Sequence, residues 1–199
     1  METKLHEGSA ITVYGASSEN IRQEYKDAAF EAGRLIALSG HPLVCGGGRQ
    51  GLMRAAIDGA LSAGGETVGV LPSFMVEKAW QHPGLTRMIE TPTMHVRKET
   101  MARLSRGVIA CPGGCGTFEE LLEIITWRQL GLYGGNVVIL NVGGYYDPFL
   151  DLFRRASEEG FMRSTDAGPL FCVADSAADA VAMAVGDPAA SSPALKNNR

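Results

Sequence analysis

The chain has 199 residues, a formal charge of −4 and 45% hydrophobic residues, enough for one domain with a substantial core. No basic tract stands out, so neither nucleic acid nor an anionic membrane surface is an expected partner. No apolar run reaches the roughly 18 residues that span a bilayer, and the opening Met-Glu-Thr-Lys-Leu-His-Glu-Gly-Ser lacks the apolar stretch of a secretory signal. Cys45, Cys111, Cys115 and Cys172 form no CxxC pair and read as reduced thiols of a cytoplasmic protein. His6, His41, His82 and His95 are scattered, so no structural metal is expected.

In chain order, residues 1–9 read as a flexible tail. A strand at 11–15 runs into Tyr14-Gly15-Ala16-Ser17-Ser18 and a helix over 19–39. A second strand, 42–45, runs into Gly46-Gly47-Gly48-Arg49-Gln50-Gly51 and a helix over 50–63. Gly46 to Gly51 formally matches GxGxxG, but a dinucleotide fold carries that motif after its first strand, with an acidic residue ending the next. Here it follows the second strand, and Glu66 precedes its strand. A glycine turn that brings a helix N-terminus close to a ligand or to the sheet fits better. Arg49 is then either a phosphate contact or a solvated surface arginine.

A third strand, 67–71, leads into the longest irregular segment, 72–86, which reads as a lid or a short helix around Phe74 to Trp80. After a strand at 87–90, a helix over 94–105 opens with Met94-His95-Val96-Arg97-Lys98-Glu99. Adjacent Arg and Lys are ordinarily a solvated pair, but this first turn starts where ligands bind. Arg97 there can fork onto a phosphate or onto ribose hydroxyls.

The strand at 107–111 ends in Pro112-Gly113-Gly114-Cys115-Gly116, and Thr117 is expected to open a helix over 117–131. Glycines feeding a helix N-terminus aim several N–H donors at one spot, which makes a phosphate cradle. Glu120 adds an acid/base group one turn into that helix. Thr117 and Glu120 also fit a capping box, in which they would only close the helix start. Strands at 136–141 and 171–174, helices at 147–159 and 176–185, and a second tail at 186–199 complete the chain. Short apolar runs alternating with 3.6-period segments define a single Rossmann-like, doubly wound α/β domain over 10–185, its mainly parallel sheet flanked by helices. Such sheets bind ligands at the carboxyl ends of their strands, where all three loops fall.

Taken together, Gly-Gly-Gly-x-x-Gly-Leu-Met at 46–53, Met-His-x-Arg-Lys at 94–98 and Pro-Gly-Gly-x-Gly-Thr-x-x-Glu at 112–120 resemble the LONELY GUY (LOG) family. Those enzymes are cytokinin riboside 5′-monophosphate phosphoribohydrolases, and many were once labelled lysine decarboxylase-like. The resemblance extends through Ile125 to Gly131 and Asn141 to Tyr146. It implies hydrolysis of the N-glycosidic bond of a nucleoside 5′-monophosphate (a cytokinin riboside monophosphate or AMP) to free base and ribose 5-phosphate, with no cofactor. It implies Arg97 and Glu120 as the catalytic pair. Lys98, Gly113, Gly114, Cys115, Gly116, Thr117 and Thr126 would bind substrate, with Gly46, Gly47 and Gly48 beside them. Glu77 is the match to a family glutamate in the lid segment, in a loop of different length. Thr93 stands where an acidic residue is common and Cys115 where an aromatic one is frequent, and both bear on the base accepted.

The resemblance also implies a homodimer with active sites near the interface. The helix over 117–131 carries Phe118, Leu121, Leu122, Ile124, Ile125, Trp127 and Leu130, more apolar residues than one core-facing stripe requires. Two rival readings stand beside the hydrolase. A non-catalytic nucleotide or phosphorylated-pterin cofactor binder would keep the glycine loops and could do without the Arg/Glu pair. A decarboxylase dependent on pyridoxal phosphate would need a buried lysine, and Lys26, Lys78 and Lys98 have no convincing apolar surroundings in the sequence.

Overall fold

The computed structural model describes residues 5–162 and 169–187. Seven strands form one parallel sheet among these residues: β1 (Ala10–Tyr14), β2 (Leu43–Cys45), β3 (Thr67–Pro72), β4 (Arg87–Thr91), β5 (Ser105–Ala110), β6 (Asn136–Leu140) and β7 (Cys172–Ala174). Their spatial order is β4-β3-β2-β1-β5-β6-β7. The intervening helices are α1 (Gln23–Leu38), α2 (Gly51–Ser62), α3 (Ser73–Glu77), α4 (Met94–Leu104), α5 (Cys115–Gln129), α6 (Asp147–Glu158) and α7 (Ala177–Val185). The doubly wound α/β expectation holds, and the central strands are apolar on both faces because helices cover both.

The two faces bury separate cores. Ile11, Val13, Leu43, Cys45, Ile109 and Val138 meet α1, α2 and α7. The alternate positions, among them Tyr14, Val44, Val68, Val70, Val108 and Ile139, meet α4, α5 and the aromatic face of α6. The chain winds from β1 outward to β4, then returns to lay β5 on the other side of β1. Loops leaving β1 and β5 therefore diverge, and a crevice opens at their carboxyl ends.

Some element bounds differ from expectation. The first helix starts at Gln23 instead of residue 19. The irregular segment does contain a short helix near the expected place, the five-residue α3. Of the expected tails, 1–4 and 188–199 lie outside the described residues. Leu5 to Ser9 are tied to the domain. Gly8 donates its N–H to the Arg103 carbonyl at 3.1 Å, Glu7 pairs with Arg103, and Leu5 packs on the core.

Candidate active site

The crevice holds a cavity of about 560 Å³. Three loops at the carboxyl edge of the sheet contribute to it: Gly15 to Ser18 after β1, Gly46 to Gln50 after β2, and Gly114 to Thr117 after β5. Met53, Leu71, Met75, Trp80 and Met94 supply an apolar wall, and Arg97 and Glu120 are its recessed charged groups.

Two helix N-termini open on this space. At α2, Gly51 takes φ +64° and lies so close to the β1 loop that a Cβ would come within 2.4 Å of the Ala16 carbonyl. Leu52 N–H donates to that carbonyl at 2.8 Å, locking α2 to the loop. At α5, Gly114 is the N-cap and no side chain caps the helix. This corrects the expected capping box. The helix begins at Cys115, two residues before Thr117, because the glycines let the loop turn into helical geometry without a polar cap. Thr117 is the third helical residue and packs on Gly113, where a Cβ would sit 2.1 Å from its Oγ1. No side chain therefore takes up the first N–H groups of α5, the feature that makes a helix start suited to an anion.

The Pro112 loop is braced from behind. Tyr145 Oη donates to the Gly113 carbonyl at 2.5 Å, and Tyr146 Oη to the Cys111 carbonyl at 2.8 Å. Asn141 accepts from Tyr146 N–H at 2.7 Å and donates to Asp147 at 2.8 Å, fixing this tyrosine corner. The stretch Asn141 to Tyr146 thereby acquires a physical role that its sequence alone did not reveal.

Arg97 and Glu120 are 6% and 9% exposed, and Arg97 Nη1 lies 3.3 Å from Glu120 Oε1. Arg97 Nε donates to the Val70 carbonyl at 2.9 Å, which anchors the guanidinium to β3. Gly46 lets it pass, since a Cβ there would lie 1.9 Å from Nη2. Burial pushes the Glu120 carboxyl up to about 7, against the opposing pull of Arg97. A carboxyl that changes charge near neutrality, beside a fixed cation and open to a cavity, has the properties of an acid/base group.

The other expected site residues fall in several places. Gly46, Gly48, Gly114, Cys115, Gly116 and Thr117 line the cavity, and Gly47 and Gly113 adjoin it. Lys98 is 4% exposed and lies off the cavity, paired with Glu119 and Glu123. Glu77 ends α3 exposed to solvent, while its neighbours Met75 and Trp80 reach the cavity. Thr126 lies exposed on the outer side of α5, in a shallow groove with Phe118, Leu122 and Trp127. Thr93 caps α4 by accepting from Val96 N–H at 3.2 Å, a role a carboxylate would also fill. Sequence reasoning missed the wall residues Met53, Leu71 and Met94. Met53 and Met94 stand inside two of the motifs, but a methionine at helical spacing carries no signal that separates wall from core.

Lys98 also bears on the decarboxylase reading. It is a buried lysine, contrary to expectation. Burial pulls its ammonium down, but the hydrogen bonds it donates to Glu119 and Glu123 raise it overall. A lysine held as a cation is not a Schiff-base nucleophile.

A family model described as possible lysine decarboxylase matches residues 53–184. The cytokinin riboside 5′-monophosphate phosphoribohydrolase LOG4 of Arabidopsis thaliana is 39% identical over 86% of this chain and 79% of its own length. The enzyme LOG of Oryza sativa is 41% identical over 76% of this chain, which spans only 63% of that relative. Among solved structures, the molybdenum cofactor carrier protein of Chlamydomonas reinhardtii superposes with a TM-score of 0.67 at 27% identity, over 88% of this chain and 94% of its own. A molybdenum cofactor binding protein from Rippkaea orientalis matches equally well, at TM-score 0.67 and 27% identity over 86% and 92%. The match of residues 53–184, the identity to the plant enzymes and the three motifs gathered at one crevice together make this chain a member of the LOG family.

Proposed function

We propose that the chain hydrolyses the N-glycosidic bond of a nucleoside 5′-monophosphate, a cytokinin riboside monophosphate or AMP, to free base and ribose 5-phosphate. The observation that carries this reading is the buried Arg97–Glu120 pair, with Glu120 raised to about 7, in a cavity fed by two helix N-termini. In this mechanism the N–H groups of Gly114 to Thr117 hold the phosphate. That binding is remote from the bond broken and serves to orient the ribose. The base lies against the methionines and Trp80. As the C–N bond breaks, positive charge develops on the ribose, and ionised Glu120 stabilises it and accepts a proton from the attacking water. Arg97 orients the substrate, and the base leaves with the C–N electron pair and takes up the equivalent of the proton that water gave to Glu120, so that one water is consumed for each base released. Glu120→Gln and Arg97→Ala are each expected to lower turnover ~100- to 10,000-fold with the fold intact. The test is a panel of nucleoside monophosphates, nucleosides and isopentenyl-AMP scored for free base and ribose 5-phosphate. Wild-type rates in either variant would exclude the assigned role.

The same reading includes a homodimer formed through the outer face of α5. Leu122 and Leu130 are exposed there, in line with an isologous contact that would bring Thr126 and the mouth of the cavity near the interface. A cytoplasmic location is part of it as well, resting on four unpaired cysteines. The likeness to the molybdenum cofactor carrier favours a second reading, a non-catalytic binder of a nucleotide or phosphorylated-pterin cofactor. Saturable binding of AMP without release of ribose 5-phosphate would select it.

A further inference from the structure

We infer that Lys98 is a positioning residue that acts through Glu120: it balances the carboxylates of α5 and does not hold substrate. The inference rests on the hydrolase reading only for its kinetic readout. Arg97 and Lys98 are consecutive on α4, so their side chains leave the helix about 100° apart. One reaches the cavity, and the other turns under α5. Lys98 Nζ donates to Glu119 and, at 3.1 Å, to Glu123 Oε1. These two carboxylates are one turn apart and bracket Glu120, so α5 presents three carboxylates within five residues. From α4, Arg97 answers Glu120, and Lys98 answers the other two.

The groups facing Glu120 come from several elements. Arg97 and Lys98 of α4 favour its ionised form, while Glu119 and Glu123 of its own helix oppose it. Tyr14 of β1 and Cys45 of β2 also sense the pair, but burial raises both, Cys45 to about 11, so they carry no charge near neutrality. Among these groups Lys98 alone offsets Glu119 and Glu123. Without it, three carboxylates would face one guanidinium, and Glu120 would hold its proton to higher pH.

The test is a carboxyl ¹³C NMR titration of Glu120, assigned by its loss in Glu120→Gln, alongside the pH profile of kcat/KM for AMP. Lys98→Met is expected to move the Glu120 titration and the acidic limb of the profile upward by roughly one unit. Glu123→Gln removes a negative charge and is expected to move both downward. Lys98→Arg keeps the charge and is expected to stay within a few tenths of wild type. A merely structural lysine would not produce shifts of opposite sign. An unmoved Glu120 titration in both Lys98→Met and Glu123→Gln overturns the inference. So does a Lys98→Met variant whose KM for AMP rises tenfold with its pH limb unmoved and adenosine cleavage unchanged, because that marks a phosphate ligand. Should Lys98→Met fail to fold, Lys98→Gln, which keeps a polar group and loses the charge, takes its place: an upward shift upholds the inference, and no shift refutes it. If wild type hydrolyses no nucleotide, the hydrolase reading falls, and the NMR arm, which needs no turnover, still judges Lys98.

Discussion

Gly46→Ala isolates the placement of Arg97. The added Cβ would lie 1.9 Å from Arg97 Nη2, where ordinary contact begins at 3.4 Å. The guanidinium must therefore retreat by about 1.5 Å or the loop must move. It has little freedom to do so, because Nε is bonded to Val70 and Nη1 to Glu120. The backbone at 46 is outside the left-handed region, so alanine is tolerated there and the perturbation is steric: the clash with Arg97, and a lesser one with Met53 Sδ at 3.0 Å, which that flexible side chain can relieve. Under the catalytic role proposed for Arg97, a displacement of this size costs about 100-fold in kcat/KM. Overpacking costs about 1–3 kcal/mol, or roughly 3–10 °C in Tm for a domain of this size. Because Arg97 holds down the Glu120 titration, the acidic limb of kcat/KM should also move above 7. Ribose 5-phosphate release from AMP across pH, with calorimetry on the same samples, measures all three. A variant within twofold of wild type, with its acidic limb in place, would refute the assigned role of the Arg97–Glu120 contact.

Glu120 also links stability to pH. Its folded value of about 7 lies above the ordinary 4.5, so the native state binds more protons between those values. Its contribution is fully present below about 4.5 and is lost as pH rises through 7, a change of about 3 kcal/mol. Denaturant titrations of wild type and Glu120→Gln at several pH values should show the difference falling over that window. Removing the 5′-phosphate should cost much of the activity, and equal kcat/KM for adenosine and AMP would count against the α5 cradle. Tyr146→Phe leaves the Cys111 carbonyl without its phenol partner and should destabilise the domain by about 1–3 kcal/mol, read as a lower denaturant midpoint. Light scattering at micromolar concentration should give a dimer, and an active species of about 21 kDa would exclude an obligate one.

Most of the fold was legible because each strand is a short apolar run between turn residues, and periodicity separates these from the helices. The edges were less legible. The α5 start was misplaced because Thr117 and Glu120 have capping-box spacing, whereas the glycines around them let the helix begin earlier. Arg97 and Glu120 stood out through their motifs, but their contact depends on Gly46, a third segment whose spatial role no local pattern encodes. Lys98 was the hardest case. Its burial follows from the rotational register of α4 against α5, and an Arg-Lys dipeptide contains no trace of that.

The position of β1 has a consequence for how the chain is made. The earliest strand of this sheet in chain order lies in its middle, between β2 and β5, with Ala10, Ile11 and Val13 fully buried. One of its edges must wait for β5, some ninety residues later, which at ribosomal speed is roughly 5–20 s. Throughout that interval an apolar strand with unpaired N–H and C=O groups remains open to other chains. The crevice cannot exist until β5 arrives, so release of ribose 5-phosphate would report completed assembly as well as catalysis. Substitutions that slow the docking of β5 against β1 should therefore lower the yield of soluble protein more than they lower the specific activity of the molecules that fold.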